Sequence, residues 1–326
     1  MQRLKILIWH IHGSYLNALA RTDHDWYLPT KPGKPSGYMG KGPTFDTPDN
    51  VHEVPAERVR DLDLDLIIYQ TSQNLHPDAE EILTARQRAL PSIYLEHNTP
   101  KASPYDARHP VDDPTMLLVH VTHFNRLMWD NGQTPTAVVE HSVAIAPDAR
   151  YRGTRPAGIT IVNGMQRRPR IAGYDIFLRA REDIPLDIAG METEEFGGLG
   201  DIPYRHLHHR VAEYRFLFSP MRYTSLPLAV IEGMTIGMPI VALATTEVPS
   251  VLQDGVHGFI SCDVDYLIDR MRYLIAHPEE ARALGENARA LARERFSLDR
   301  FRQAWDDAFG RAIALRRSSG GMAASG

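Results

Sequence analysis

Glu232 is the only carboxylate in the stretch YTSLPLAVIEGMTIGMPIVAL (residues 223–243), and nearly everything around it is apolar. Taking an unpaired carboxylate out of water costs several kcal/mol, roughly, so the acid needs a partner. Two kinds of partner fit. One is a basic side chain, Arg222 or another arginine. The other is a ligand with two adjacent hydroxyls, such as a ribose, from which both carboxylate oxygens accept hydrogen bonds. Pro227 in a first turn, with Thr224 and Ser225 just before it, marks a helix start, and Gly237 with Pro239 marks its end and the next strand. The helix end at residues 224–228, including Ser225 and Leu226, offers free N–H groups and a dipole to a diphosphate. Ribose on the acid and phosphates on the helix end would together describe a nucleotide-sugar pocket, and in open α/β sheets such ligands sit at the carboxyl ends of the strands.

The elements that must position these groups recur in two halves. The first half carries short apolar runs, KILIWHI, DLIIYQTS, SIYLEH, MLLVHVT and TAVVEHSV, with helical stretches such as DAEEILTARQRAL and FNRLMWDNG between the later ones. Continuous runs of this length suit parallel strands covered on both faces. Alternation with helices predicts a doubly wound α/β layer. Residues 21–55, rich in Pro, Gly, Asp and Lys, read as a long loop, either an acceptor lid or a disordered insertion. The sequence turns polar near PDARYRGTRPAG, where we place a linker, and then resumes with strands GITIVNG, PLDIAGM, RFLFSP, PIVALA and HGFISC and helices between them. Three helices close the chain, starting near residues 264, 278 and 297. The expected organisation is a domain at 1–150, a second at 151–296, a closing helix at 297–317 and a disordered tail at 318–326.

A formal charge of −5 over 326 residues argues against non-specific nucleic-acid binding, which runs on surplus Lys and Arg. One cysteine, Cys262, allows no internal disulfide and makes a cysteine-based metal site improbable; it fits a reducing, cytoplasmic compartment. No run approaches the length that crosses a bilayer. The cluster HLHH at 206–209 sets histidines at i and i+3 on one helix face, but the nearby acids lack a ligand pattern, so no metal site is expected there.

The stretch RYTSLPLAVIEGMTIGMPIVA resembles the signature of retaining glycosyltransferases of the GT-B fold, family four, which reads approximately E-G-F-G-L-P-x-L-E-A-M-A-x-G-x-P-V-V. VPSVLQDGVHGFI, EEARALGENARALARERFS and VVEHSV resemble further segments of that family. The resemblance implies two Rossmann-like domains facing across a cleft, with the acceptor on the first and the nucleotide-sugar donor on the second. It makes Glu232 the acid that binds the nucleotide ribose. IYLEHNTP resembles the strand end carrying the family's active-site histidine, which makes His97 the first choice to line the acceptor side and hydrogen-bond the donor sugar. His12 and His123 compete for that role. Glu96 should point to the opposite strand face. IHGS follows a strand, and Gly13 there lets backbone approach a ligand as the family's first loop does; ordinary turns use such a glycine too.

Three departures accompany the resemblance. The family's first acid, which touches the donor sugar and the reacting centre, falls on Thr224. Its phosphate-binding Arg and Lys fall on Met165 and Ala172, while RRPR nearby offers Arg168 and Arg170 beside Arg167, either to grip a diphosphate or as a solvated basic loop. ATTEVPS replaces a Gly-rich turn, placing Thr245 and Thr246 to contact donor or phosphate. The implied activity is metal-independent transfer of a sugar from a nucleoside diphosphate to a small-molecule or glycan acceptor hydroxyl, with retention and no cofactor beyond the donor. Peripheral membrane association is expected only with a lipid-linked acceptor. The alternatives are a GT-B-shaped binding protein without transfer activity and a nucleotide-sugar epimerase.

Overall fold

The computed structural model describes residues 2–323, with side chains through residue 318. The chain divides into two compact units: Met1–Ser142 with Leu298–Gly326, and Val143–Ser297.

Unit 1 is built on a seven-stranded sheet of β1 (Lys5–Ile8), β2 (Asp25–Thr30), β3 (Val51–Pro55), β4 (Leu66–Tyr69), β5 (Ser92–Glu96), β6 (Leu117–His120) and β7 (Thr136–Val138). The order is β3-β2-β1-β4-β5-β6-β7 and every pairing is parallel. Both faces are covered, which is why the strands read as unbroken apolar runs. Ile6 and Ile8 of β1 go to one core while Leu7 and Trp9 go to the other. The first core is closed by the final helix Leu298–Ala323, whose Trp305 and Phe309 are fully buried against it. Arginines of that helix reach backbone carbonyls of the same unit: Arg302 to Arg21, Arg311 to Thr136 and Arg316 to Ala89.

Unit 2 carries a five-stranded sheet of β8 (Arg155–Ile161), β9 (Leu186–Ala189), β10 (Tyr214–Ser219), β11 (Ile240–Leu243) and β12 (Gly258–Ser261), in the order β12-β11-β10-β8-β9, again all parallel. In both sheets the winding reverses once, between β1 and β4 and between β8 and β10. In open α/β sheets, ligands bind outside the carboxyl ends of the strands at such a reversal.

Three expectations change. Residues 21–55 are not a plain loop: they hold β2 and the edge strand β3. In β2, Trp26 and Leu28 are buried while Asp25 and Tyr27 are partly open, a period-two pattern disguised by Pro29. DAEEILTARQRAL is not one helix but two short ones, Ala79–Ile82 and Ala85–Arg88, because Thr84 stops the first and caps the second with a reciprocal bond to Gln87. The final helix runs to Ala323, over most of the segment expected to be disordered. Extending a helix already nucleated and packed is far easier than starting one, even through RRSSGG. The remainder of that segment, residues 324–326, lies outside the described residues.

Candidate functional site

Within unit 2 the helix Leu228–Ile236 lies between the core and the loop that follows β10. Pro227, expected in the first turn, stands just outside it as the cap, and no side chain bonds the free N–H end. It stops at Gly237, whose φ of 100° is open to glycine and strained for other residues; the N–H groups of Gly237 and Met238 turn back onto Gly233 O. The helix is apolar on nearly every side because it is covered on nearly every side.

Glu232 is 5% exposed. Among the described residues no arginine meets it. Its partners are Tyr204, whose hydroxyl lies 3.1 Å from Oε1, and His208, whose Nε2 lies 4.0 Å from the same oxygen. Both come from the helix Tyr204–Val211, one turn apart on one face. Burial pushes the Glu232 carboxyl up to about 7, and the Tyr204 hydroxyl pulls against that shift. Burial likewise lowers His208 to about 4, so the imidazole is neutral. Arg222, the alternative partner read from sequence, is committed elsewhere: Nη1 and Nη2 grip Asp175 at 2.5 and 2.6 Å, and their hydrogen bonds hold that carboxyl down at about 2.

The loop after β10 is tied on both sides. Arg222 also donates to Arg170 O, while Thr245 donates to Met221 O and Thr246 to Ser225 O. The structure therefore gathers Arg170, Thr224, Ser225, Thr245 and Thr246 around one loop, although the two threonine hydroxyls serve to strap it. Thr246 keeps a left-handed φ of 53°, uncommon for a β-branched residue and of the kind that collects at functional sites. Leu226 is buried in the core, and Thr224 is half-buried. Met165 and Ala172 are both fully buried, so neither position could present a cation to a phosphate. Of the nearby arginines, Arg167 pairs with Glu192 and Arg170 with Asp175. Arg168 is exposed and, among the described residues, has no acidic partner. It follows β8, so it stands at the winding reversal of the sheet, as does the loop holding Ser225.

Within unit 1 the loops after β1, β4 and β5 bring His12, Gly13, Gln70 and His97 together. Gly13 opens the helix Gly13–Leu19, and a Cβ there would lie 2.8 Å from the Phe45 ring. The rings of His12 and His97 are 4.1 Å apart. Gln70 Nε2 donates to Trp9 O at 2.6 Å, which turns its carbonyl oxygen to His97 Nε2 at 2.9 Å. His97 must then carry its hydrogen on Nε2 and keep Nδ1 as an acceptor. Burial, with His12 and His141 close by, holds His97 well below the usual imidazole range. Glu96 points the other way, onto His109. His123 sits exposed at the start of the helix His123–Met128 and joins none of these groups.

Sequence reasoning missed Tyr204, His208, Gln70 and His141. His141 is buried edge-on to Tyr15, with neither ring nitrogen hydrogen-bonded. Tyr204 and His208 did leave a trace, since His208 belongs to the HLHH cluster and Tyr204 stands four residues before it, on the same helix face. Among the described residues no group of His, Cys, Asp and Glu is arranged to hold a metal ion, and no helix is long and apolar enough to cross a membrane.

Residues 182–291 match the family of Glycosyl transferases group 1. The sequence has no match among curated proteins. Among solved structures, sucrose-phosphate synthase from Thermosynechococcus elongatus is 14% identical, with 96% of this chain and 100% of that one covered at a TM-score of 0.65. HepE of Anabaena, solved in complex with UDP and glucose, is 14% identical over 95% and 100%, at 0.67. A mutant of S. aureus TarM, in complex with Fondaparinux, alpha-GlcNAc-glycerol and UDP, is 14% identical over 75% of this chain, at 0.59; the chain spans 55% of its length. These likenesses establish the fold as GT-B, with two Rossmann-like domains, and together with the matched segment they support a glycosyltransferase.

Proposed function

We propose that the protein transfers a sugar from a nucleoside diphosphate to an acceptor hydroxyl on a small molecule or glycan, with retention and without a metal, in the cytoplasm. The observation that carries the reading is Glu232, a buried acid inside the family-matched segment, met by a hydroxyl and a neutral imidazole and, among the described residues, by no cation. A carboxylate so placed is short of hydrogen-bond donors, and a ribose diol supplies two. The solved HepE and TarM relatives, which hold UDP, agree with a nucleotide here.

Each residue then has a task. Glu232 accepts from the ribose hydroxyls. The uncapped N-terminus of the Leu228–Ile236 helix, with backbone at Ser225 and Leu226, faces the diphosphate, and Arg168 adds charge as it leaves. Arg170 does so only by letting go of Asp175. Thr224 hydrogen-bonds the donor sugar, and Thr245 and Thr246 hold the loop that presents it. In unit 1, His97 offers Nδ1 to a sugar or acceptor hydroxyl beside His12, over the backbone at Gly13. Retention and the family-four assignment rest on the resemblance of the 223–243 signature, and Thr224 adds no carboxylate at the reacting centre.

The test is a thermal-shift panel of UDP, GDP, ADP and dTDP sugars, followed by donor turnover with EDTA present and by NMR of the product anomer. Stabilisation by one donor, turnover in EDTA and an unchanged anomer are expected. A second reading, a GT-B protein that binds a nucleotide without transferring sugar, is favoured by the burial of Met165 and Ala172 where the family keeps its phosphate-binding cations. Binding with no turnover across many acceptors would decide for it.

A further inference from the structure

The first residues that the chain contributes to unit 2 are bonded to the same two side chains that face Glu232. Tyr204 Oη lies 3.0 Å from Ala144 O and 3.1 Å from Glu232 Oε1. Ala146 N donates to His208 Nδ1 at 3.4 Å. The Tyr204 and His208 rings meet edge to face at 4.7 Å, so the two hold one another in place.

The hydrogen bookkeeping of this group is restrictive. A phenol has one hydrogen to give, and Tyr204 has two oxygens within reach. When Glu232 is ionised, the charged acceptor wins, because charge-assisted bonds are about twice as strong as neutral ones. When Glu232 is neutral, the carboxyl donates to the phenol oxygen and the phenol donates to Ala144 O. His208 accepts through Nδ1, so its ring hydrogen sits on Nε2, a buried donor with no hydrogen-bond acceptor and 4.0 Å from Glu232 Oε1. Tyr204 thus offers its hydrogen to Oε1, the oxygen that His208 Nε2 faces from 4.0 Å, and this turns the carboxylate and leaves Oε2 to other donors.

We propose that Tyr204 is a positioning residue for nucleotide binding: it pins Oε1 of Glu232, with His208 behind it, so that the carboxylate is turned to receive the ribose hydroxyls. This rests on the reading of Glu232 as the ribose-binding acid, and the experiment separates the two. Titration calorimetry at pH 8 compares whichever of UDP, GDP or ADP binds the wild type most tightly with its 2′,3′-dideoxy counterpart. The ribo-to-dideoxy affinity ratio isolates the diol from the base and phosphates. Glu232→Gln should collapse that ratio to near unity. Tyr204→Phe, which keeps the ring against His208, should lower it about 5- to 10-fold while leaving the dideoxy affinity within about twofold of wild type. An unchanged ratio in Tyr204→Phe beside a collapsed one in Glu232→Gln overturns the role of Tyr204 and spares that of the acid. Equal weakening toward both nucleotides makes Tyr204 merely structural and overturns it too. A ratio untouched by Glu232→Gln, or no binding by any of the three nucleotides, removes the acid reading and this inference with it. If Tyr204→Phe does not fold, 3-fluorotyrosine at position 204, a stronger donor, must raise the ratio; a fall or no change refutes the proposal.

Discussion

The burial of Glu232 costs the fold stability, and the cost depends on pH. Burial raises its carboxyl from an ordinary 4.5 to about 7. The folded state therefore holds a proton that the unfolded chain has released between those two values. An acid raised on folding adds nothing adverse below about pH 4.5, and its neutral form loses its advantage as pH climbs through 7. A rise of this size corresponds to about 3 kcal/mol above pH 7. Glu232→Gln keeps the side-chain volume and an acceptor for Tyr204 while removing the titration. Near pH 5, variant and wild type should melt close together. At pH 8 the variant should be the more stable, and for a unit of this size about 3 kcal/mol corresponds to roughly 6–12 °C in Tm. The assay is a pair of thermal melts without nucleotide at pH 5, 6, 7 and 8. A gap in Tm that stays constant across that series refutes the idea that an ionised, desolvated Glu232 strains the fold.

Other consequences follow from neighbouring features. Burial lowers His141 to about 4, so the stability it contributes is present above pH 6.5 and lost as pH falls toward 4; His141→Leu should flatten the decline in urea midpoint between pH 7 and 4.5, and an unaltered decline counts against this. Met165→Arg should destabilise unit 2 by about 3 kcal/mol or more, as a guanidinium in a fully buried site requires, a loss that a urea melt would register. Arg168→Ala should leave the melt within about 0.5 kcal/mol yet weaken nucleoside-diphosphate binding about tenfold; unchanged affinity would place the phosphates elsewhere. A Cβ at Gly285 would lie 2.1 Å from Gly237 O, so Gly285→Ala should cost roughly 1–3 kcal/mol by forcing its helix off the end of Leu228–Ile236, a loss that denaturant midpoints would register.

The sequence by itself determined the layers, the winding and the burial of Glu232. Apolar runs such as LLVH and IVAL are local signals, as are Gly237 and Pro239, and local signals survive in a one-dimensional string. What only tertiary structure decided was partnership. Arg222 lies ten residues from Glu232, yet pairs with Asp175, 47 positions away in the chain, because the loop after β10 folds over the helix start at Tyr174. Tyr204 reaches Glu232 from 28 positions away because β10 separates two helices that pack side by side on it. The strand in residues 25–30 was equally hidden, since its order beside β1 is fixed by a pairing rather than by its own composition. A side chain's burial follows from its own neighbours in sequence, whereas the group that relieves a buried charge is set by which elements the fold happens to bring against it.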